Sequence, residues 1–187
     1  ANAHALARYA ATAQEAGLVP IVEPEVLMDG DHSIDVCQSV TERTLACVFD
    51  QLYRHNVRLE ATVLKPNMVV AGNACSQQPD ITEVADRTLE TLRRHVPSAI
   101  PGIAFLSGGQ SEEDATAHLN AMNAQGPQPW ELTFSYGRAL QQSTLQAWKG
   151  SPDNVAVAQR TFLHRARMNS LARTGAYAAD LERELAA

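Results

Sequence analysis

Helical patterns alternate with short apolar runs along this sequence, and this alternation limits the fold more than any other feature. Segments with apolar residues at helical spacing separate short runs that are mostly apolar. We predict strands at residues 18–22, 59–64, 103–106 and 130–134. Because strands that alternate with helices pair in parallel, the pattern predicts an α/β fold built from right-handed βα units.

The predicted helices rest on the same periodicity and on capping residues at their starts. We predict helices at residues 2–16, 34–55, 81–95, 139–148 and 153–172, and another that begins at residues 111–114. Ser33 and Asp80 stand where a side chain can accept a hydrogen bond from the first helical turn. We expect residues 1–187 to form a single domain, with 174–187 as a polar tail.

Composition excludes several classes of protein. A chain of 187 residues with 45% hydrophobic residues can bury a sizeable core. Fifteen basic residues against 21 acidic ones give a net charge of -6, which argues against a nucleic-acid partner. No apolar run is long enough to span a membrane.

Three cysteines without CxxC spacing indicate reduced thiols and a cytoplasmic location. The chain starts at Ala1 without signal-peptide features, so we expect it to be the interior of a longer chain.

Lys65 is the first candidate for chemistry because it ends an apolar strand in a chain with only one other lysine, Lys149. A half-buried ammonium loses hydration, which favours the free amine. A free amine can condense with a substrate carbonyl to form a Schiff base. The alternative is a strand-end lysine that extends to solvent and does no chemistry.

Two carboxylates, Glu23 and Glu25, flank a proline at the end of the first strand. Close carboxylates disfavour each other's charge, so one can hold a proton while its neighbour stays ionised. Such a pair suits general acid/base catalysis beside an imine-forming lysine, because dehydration of a carbinolamine needs a proton donor. The alternative is a pair of solvated side chains.

The last two strands end in residues that suit a phosphate group. Backbone N–H groups near Ser107, Gly108 and Gly109 can approach an anion at the start of a helix. Ser135, Gly137 and Arg138 offer a hydroxyl, an accessible backbone and a bidentate guanidinium. Asp29, Asp31 and His32 are better explained as turn and cap residues than as metal ligands. We therefore predict a phosphate site and neither a metal nor another cofactor.

Four segments together resemble the class I fructose-bisphosphate aldolases. They are GLVPIVEPEVLMDGDH (17–32), LEATVLKPNMV (59–69), FLSGGQSEE (105–113) and LTFSYGRAL (132–140). The resemblance implies a (β/α)₈ barrel that reversibly cleaves fructose 1,6-bisphosphate to dihydroxyacetone phosphate and glyceraldehyde 3-phosphate in glycolysis and gluconeogenesis, without a metal. It makes Lys65 the imine-forming lysine, Glu23 the general acid/base and Glu25 a residue that positions the lysine. It makes Ser107, Gly108, Gly109, Ser135 and Arg138 the phosphate cradle.

The resemblance covers only the second half of such a barrel, strands five to eight. An aspartate that takes part in C–C cleavage, and other residues that grip the substrate, belong to the first half, and the C-terminal tyrosine of the family has no counterpart here. We therefore expect an incomplete chain or a half-barrel that pairs with another. The resemblance also implies a homo-oligomer, commonly a tetramer, for the complete protein. Two alternatives stay open: a non-catalytic sugar-phosphate-binding module, and a Schiff-base aldolase for another phosphorylated ketose.

Overall fold

The predicted alternation of strands and helices is confirmed in the computed structural model, which describes residues 1–186. The strands are β1 (Ile21–Val22), β2 (Val63–Leu64), β3 (Gly102–Phe105) and β4 (Glu131–Phe134). The helices are α1 (Asn2–Glu15), α2 (Ile34–Arg54), α3 (Ile81–His95), α4 (Glu112–Ala124), α5 (Arg138–Trp148) and α6 (Val155–Ala172). Short 3-10 segments lie at Leu59–Ala61, Pro152–Asn154 and Ala179–Ala186. The last residue of the predicted polar tail, Ala187, lies outside the described residues.

The first two strands are shorter than predicted. Leu18 and Val19 were predicted to lie in a buried strand, but they precede β1 and their side chains are exposed. The prediction of a strand through residues 59–61 was also wrong, because these residues form a 3-10 turn before β2. In both places the apolar residues lie outside the paired part of the sheet, so their hydrophobicity alone does not indicate strand structure.

All four strands pair in parallel, and their order in the sheet is β1-β2-β3-β4. Val22 is in register with Leu64, Leu64 with Ile103, and Phe105 with Phe134. The carboxyl ends of the strands therefore lie along one edge of the sheet, where the loops with the candidate residues begin. Within the described residues, β1 and β4 each pair with a single strand.

Three helix starts carry side-chain caps; those at Ser33 and Asp80 confirm the prediction, and the one at Ser111 was not predicted. The Ser33 hydroxyl accepts a hydrogen bond from the Val36 amide, Asp80 accepts from Glu83, and Ser111 accepts from Asp114. These caps satisfy amides that the first turn leaves without an intrahelical acceptor. They also fix where α2, α3 and α4 leave the loops that hold the candidate site.

Two apolar cores support the sheet. The larger one packs Leu64, Ile103 and Phe105 against helices α2, α3 and α4, and the smaller one packs α1 and α2 around Val22 and Leu52. The strand residues before the candidate site are thereby anchored in rigid packing. Among the described residues, no helix is both long and apolar enough to cross a bilayer.

Candidate active site

Lys65 and Glu23 form an ion pair at the carboxyl ends of β1 and β2. The Lys65 Nζ lies 2.8 Å from the Glu23 Oε1, and the side chains are 20% and 45% exposed. The sheet register explains this contact: Lys65 and Glu23 directly follow the paired residues Leu64 and Val22, and the Lys65 amide donates to the Val22 carbonyl at 2.8 Å. An amine and a carboxylate at this distance can exchange a proton directly.

Asn67, which the sequence analysis missed, joins the two loops that carry this pair. It is 6% exposed, and its Oδ1 accepts a hydrogen bond from the Val26 amide at 3.0 Å. Its Nδ2 donates to the Thr41 hydroxyl and to the Met68 carbonyl. A polar amide immediately after the strand-end Lys-Pro was the available signal. Asn67 therefore holds the loop after β1 beside Lys65.

The Glu25 carboxylate lies beside the glycine turn after β3. Pro24, between the two glutamates, is buried, whereas Glu23 and Glu25 are exposed. A Cβ atom at Gly108 would lie 3.9 Å from the Glu25 Oε1. The structure thus brings Glu23 to the lysine and Glu25 to the predicted phosphate cradle.

The glycine turn after β3 has a backbone that favours glycine. Gly108 has φ 58° and Gly109 has φ 96°, and added side chains would contact Leu106 and Met28 respectively. No residue of the described chain accepts a hydrogen bond from the amide of Gly108 or Gly109. Ser107, which precedes them, is 5% exposed. Two free amides beside a nearly buried serine can bind an anion.

The Arg138 guanidinium lies against the glycine turn. Its Nη2 is 3.7 Å from the position of a Cβ atom at Gly109. Arg138 is the first residue of α5, a helix without a side-chain cap, and Gly137 precedes it. Ser135 is held against β3 by a 2.8 Å hydrogen bond from its amide to the Phe105 carbonyl. The guanidinium and the glycine amides can therefore face one anion.

A buried histidine supports the glycine turn from behind, and the sequence analysis did not single it out. The His118 Nδ1 lies 2.6 Å from the Gln110 Oε1, and the Gln110 Nε2 donates to the Ser107 carbonyl at 3.1 Å. Burial lowers the pKa of His118 from 6.5 to about 4, so the ring is neutral at physiological pH. In the sequence, only the position of His118 on the inner face of α4 could have indicated this role.

Comparison with known proteins decides the family. A profile described as "Glycolytic: Fructose-bisphosphate aldolase class-I" matches residues 1–187. Fructose-bisphosphate aldolase B of Gallus gallus is 58% identical over 177 residues, which are 94% of this chain and 49% of that protein. The chain belongs to the class I fructose-bisphosphate aldolases.

Other aldolases agree in sequence and in structure. A fructose-bisphosphate aldolase of Plasmodium falciparum is 56% identical over 176 residues, which are 94% of this chain and 49% of that protein. A solved aldolase of Plasmodium falciparum, in complex with TRAP and a small-molecule inhibitor, matches with a TM-score of 0.93 and 55% identity. That match covers 95% of this chain and 51% of the solved one. The chain thus spans about half the length of these aldolases.

Proposed function

We propose that this chain is the half of a class I fructose-bisphosphate aldolase that carries the Schiff-base lysine, Lys65. We further propose that its four strands correspond to strands five to eight of a (β/α)₈ barrel. The observation that carries the proposal is the 2.8 Å contact between the Lys65 Nζ and the Glu23 Oε1 at the carboxyl edge of a parallel sheet. A nucleophilic amine and its proton-transfer group need this proximity.

The first half of the reaction uses both residues of the pair. The neutral Lys65 amine attacks the ketone carbon of fructose 1,6-bisphosphate; the nitrogen then loses one proton and the former carbonyl oxygen takes one up, which gives a carbinolamine with a free nitrogen lone pair. Protonated Glu23 then donates its proton to the hydroxyl group, which leaves as water. The nitrogen lone pair forms the iminium double bond as the C–O bond breaks.

Carbon–carbon cleavage follows from the iminium. The C4 hydroxyl loses its proton, and the electron pair of the C3–C4 bond moves towards the iminium nitrogen. Glyceraldehyde 3-phosphate leaves and an enamine stays on Lys65. Protonation of the enamine carbon and addition of water release dihydroxyacetone phosphate and the free amine. We propose that an aspartate in the half of the barrel that this chain does not span takes part in this cleavage.

We propose that one of the two phosphate groups of the substrate binds at the glycine turn. The free amides of Gly108 and Gly109, the adjacent Arg138 guanidinium and the nearby serines supply donors with fixed positions. The serines are Ser107 and Ser135, and Gly137 leaves the start of α5 open. Glu25 borders this turn and limits how the substrate can lie between Lys65 and Arg138.

Borohydride trapping tests the proposed function. The chain is incubated with dihydroxyacetone phosphate, reduced with borohydride, and mapped by mass spectrometry of its peptides. We expect the reduced adduct on Lys65 and none on Lys149. The variant Lys149→Arg should retain the adduct and Lys65→Arg should lose it. Equal labelling of the two lysines would show that Lys65 is not activated and would contradict the proposal.

A second candidate function is sugar-phosphate binding without turnover. The open edges of β1 and β4 favour it, because four strands do not close a barrel on their own. In that case dihydroxyacetone phosphate would bind with unchanged affinity to Lys65→Ala, and borohydride would trap nothing.

For the complete protein we propose a homo-oligomer, a tetramer by resemblance, that acts on a phosphorylated sugar in the cytoplasm. The three cysteines support a reducing compartment, since Cys37, Cys47 and Cys75 are all free thiols.

A further inference from the structure

Glu112, the first residue of α4, joins three helices that meet behind the proposed phosphate cradle. Its Oε1 accepts hydrogen bonds from both the backbone amide and the hydroxyl of Ser143, at 3.0 Å each. Ser143 lies in α5, the helix that begins at Arg138. Glu112 itself begins the helix that follows the Ser107–Gly109 turn. One carboxylate oxygen thus connects the two segments that supply the cradle.

The backbone of Glu112 is held from a third side. The Arg165 guanidinium, on α6, donates through Nη2 to the Glu112 carbonyl at 3.0 Å and to the Thr116 hydroxyl at 2.7 Å. Arg165 is 4% exposed, and its Nη1 donates to the Glu182 carboxylate. A guanidinium buried with its donors directed in this way allows little freedom to the residue it holds.

We propose that Glu112 is a positioning residue that sets the distance between the Gly108–Gly109 amides and the Arg138 guanidinium. This inference rests on the proposed function, because it assumes that these groups bind one phosphate. The contact of Glu112 with Ser143 fixes α5 against α4, and each helix starts at one wall of the cradle. Phosphate recognition depends on donors that are already in place when the anion arrives, since reorganising them costs affinity.

The neighbouring glutamate provides a matched control. Glu113 lies in the same first turn of α4 and carries the same charge, but it is exposed and its carboxylate forms no hydrogen bond with the described residues. Removal of either carboxylate lowers the negative charge near the cradle, which by itself would strengthen phosphate binding. Only removal of Glu112 also breaks the link between the helices.

The test is a titration of the chain with inorganic phosphate, followed by the amide NMR signals of Gly108 and Gly109. We expect Glu112→Ala to bind phosphate about tenfold more weakly, since two hydrogen bonds to a charged group are lost. Glu112→Gln keeps an acceptor oxygen and should bind at least as tightly as the unchanged chain. Glu113→Ala should not weaken binding. Ser143→Ala should show a smaller loss than Glu112→Ala.

Each outcome bears on the inference separately from the proposed function. Three results would overturn the role of Glu112. The first is unweakened phosphate binding by Glu112→Ala, and the second is an equal loss of affinity in Glu112→Gln and Glu112→Ala. The third is the absence of any phosphate response at Gly108 and Gly109 in the unchanged chain. Borohydride trapping on Lys65 decides the Schiff-base proposal independently. Phosphate binding with the expected series of variants but without a Lys65 adduct would reject Schiff-base formation on Lys65 in this chain and leave the positioning role standing.

Discussion

The Tyr136 hydroxyl donates a 2.8 Å hydrogen bond to the backbone carbonyl of Ala115, which ties the loop after β4 to the body of α4. Tyr136 is 5% exposed, and burial raises the pKa of its phenol far above the ordinary value, so the group stays a donor at all physiological pH values. Tyr136 lies between Ser135 and Gly137, so this bond anchors one wall of the proposed phosphate cradle from inside the core.

Removal of that hydroxyl should cost stability. We expect Tyr136→Phe to lower the free energy of unfolding by about 1 kcal/mol, because the ring still packs while one buried hydrogen bond is lost. Urea denaturation measures the change as a lower midpoint at an unchanged slope. Tyr53→Phe is the control, since Tyr53 is 82% exposed and should give no change. An unchanged midpoint for Tyr136→Phe would show that the bond contributes nothing net.

Glu23→Gln should slow formation of the Lys65 adduct. Glutamine keeps the size of the side chain but cannot transfer a proton, and general acid/base catalysis contributes about 10²–10⁴-fold to such steps. We expect a loss of rate in this range when adduct formation with dihydroxyacetone phosphate is followed by borohydride quenching at timed intervals. Glu60→Gln, at an exposed residue before β2, is the control. A rate within twofold of the unchanged chain would exclude Glu23 as the proton donor.

Arg138→Ala should weaken binding of dihydroxyacetone phosphate. A guanidinium–phosphate contact contributes about 1.5–3 kcal/mol, so we expect the dissociation constant to rise at least about tenfold. Arg138→Lys should recover part of the affinity, because it restores the charge but not the bidentate geometry. Arg54→Ala serves as the control for charge, since Arg54 lies in the last turn of α2 and pairs with Asp50. Equal affinity of Arg138→Ala and Arg54→Ala would remove Arg138 from the cradle.

His118 should make the fold sensitive to mild acid. Burial lowers the pKa of His118 to about 4 in the folded chain, whereas the ring in an unfolded chain titrates at 6.5. Between these values the unfolded state binds more protons, so stability falls as the pH falls from 6.5 towards 4. The total loss from this residue is about 3 kcal/mol.

Replacement of His118 checks this pH dependence. Urea denaturation of His118→Gln at several pH values should give a flatter decline of unfolding free energy below pH 6.5. His4→Gln, at an exposed residue of α1, should keep the original slope. Parallel curves for His118→Gln and the unchanged chain would show that His118 is not the group responsible.

Gly72→Ala should disrupt the loops above the sheet. A Cβ atom at Gly72 would collide with the Gly30 carbonyl oxygen, and three hydrogen bonds hold the backbone of residues 72–74 against that of residues 28–32. We expect a loss of about 2 kcal/mol or more in unfolding free energy. Gly102→Ala is the matched control, because its nearest neighbour, the Glu131 carbonyl oxygen, would lie at 3.6 Å. Tolerance of both substitutions would show that the loops separate at little cost.

The sequence predicted the parts of the fold that follow from periodicity and local chemistry. The helix starts at Ile34 and Ile81 were predictable because Ser33 and Asp80 accept hydrogen bonds within a few residues of themselves. The starts of the strands were less predictable, because Leu18 and Leu59 are as apolar as the strand residues that follow them. Only the pairing of the sheet decides which apolar residues are strand.

In the candidate site too, some residues were predictable from the sequence and others were not. Lys65 and Glu23 were predictable as strand-end residues, and the parallel register then places them together. Asn67, Glu112 and His118 were harder to predict as supporting residues, because the hydrogen bonds that tie them to other segments span 8 to 53 positions along the chain. Such contacts depend on how the helices pack, and helical periodicity does not specify them.

Across residues 1–186 the order of the strands in the sheet is also their order along the chain, so each of these strands pairs with its immediate predecessor or successor. Each new βα unit can therefore pack against the strand and helix that were synthesised just before it, without a segment from later in the chain. Growth of the sheet is directional, from β1 towards β4, and low sequence separation between paired strands speeds such assembly. On the β4 side of the sheet, the exposed edge during translation would be the most recent strand, which limits the time for which that edge is free to pair with another molecule.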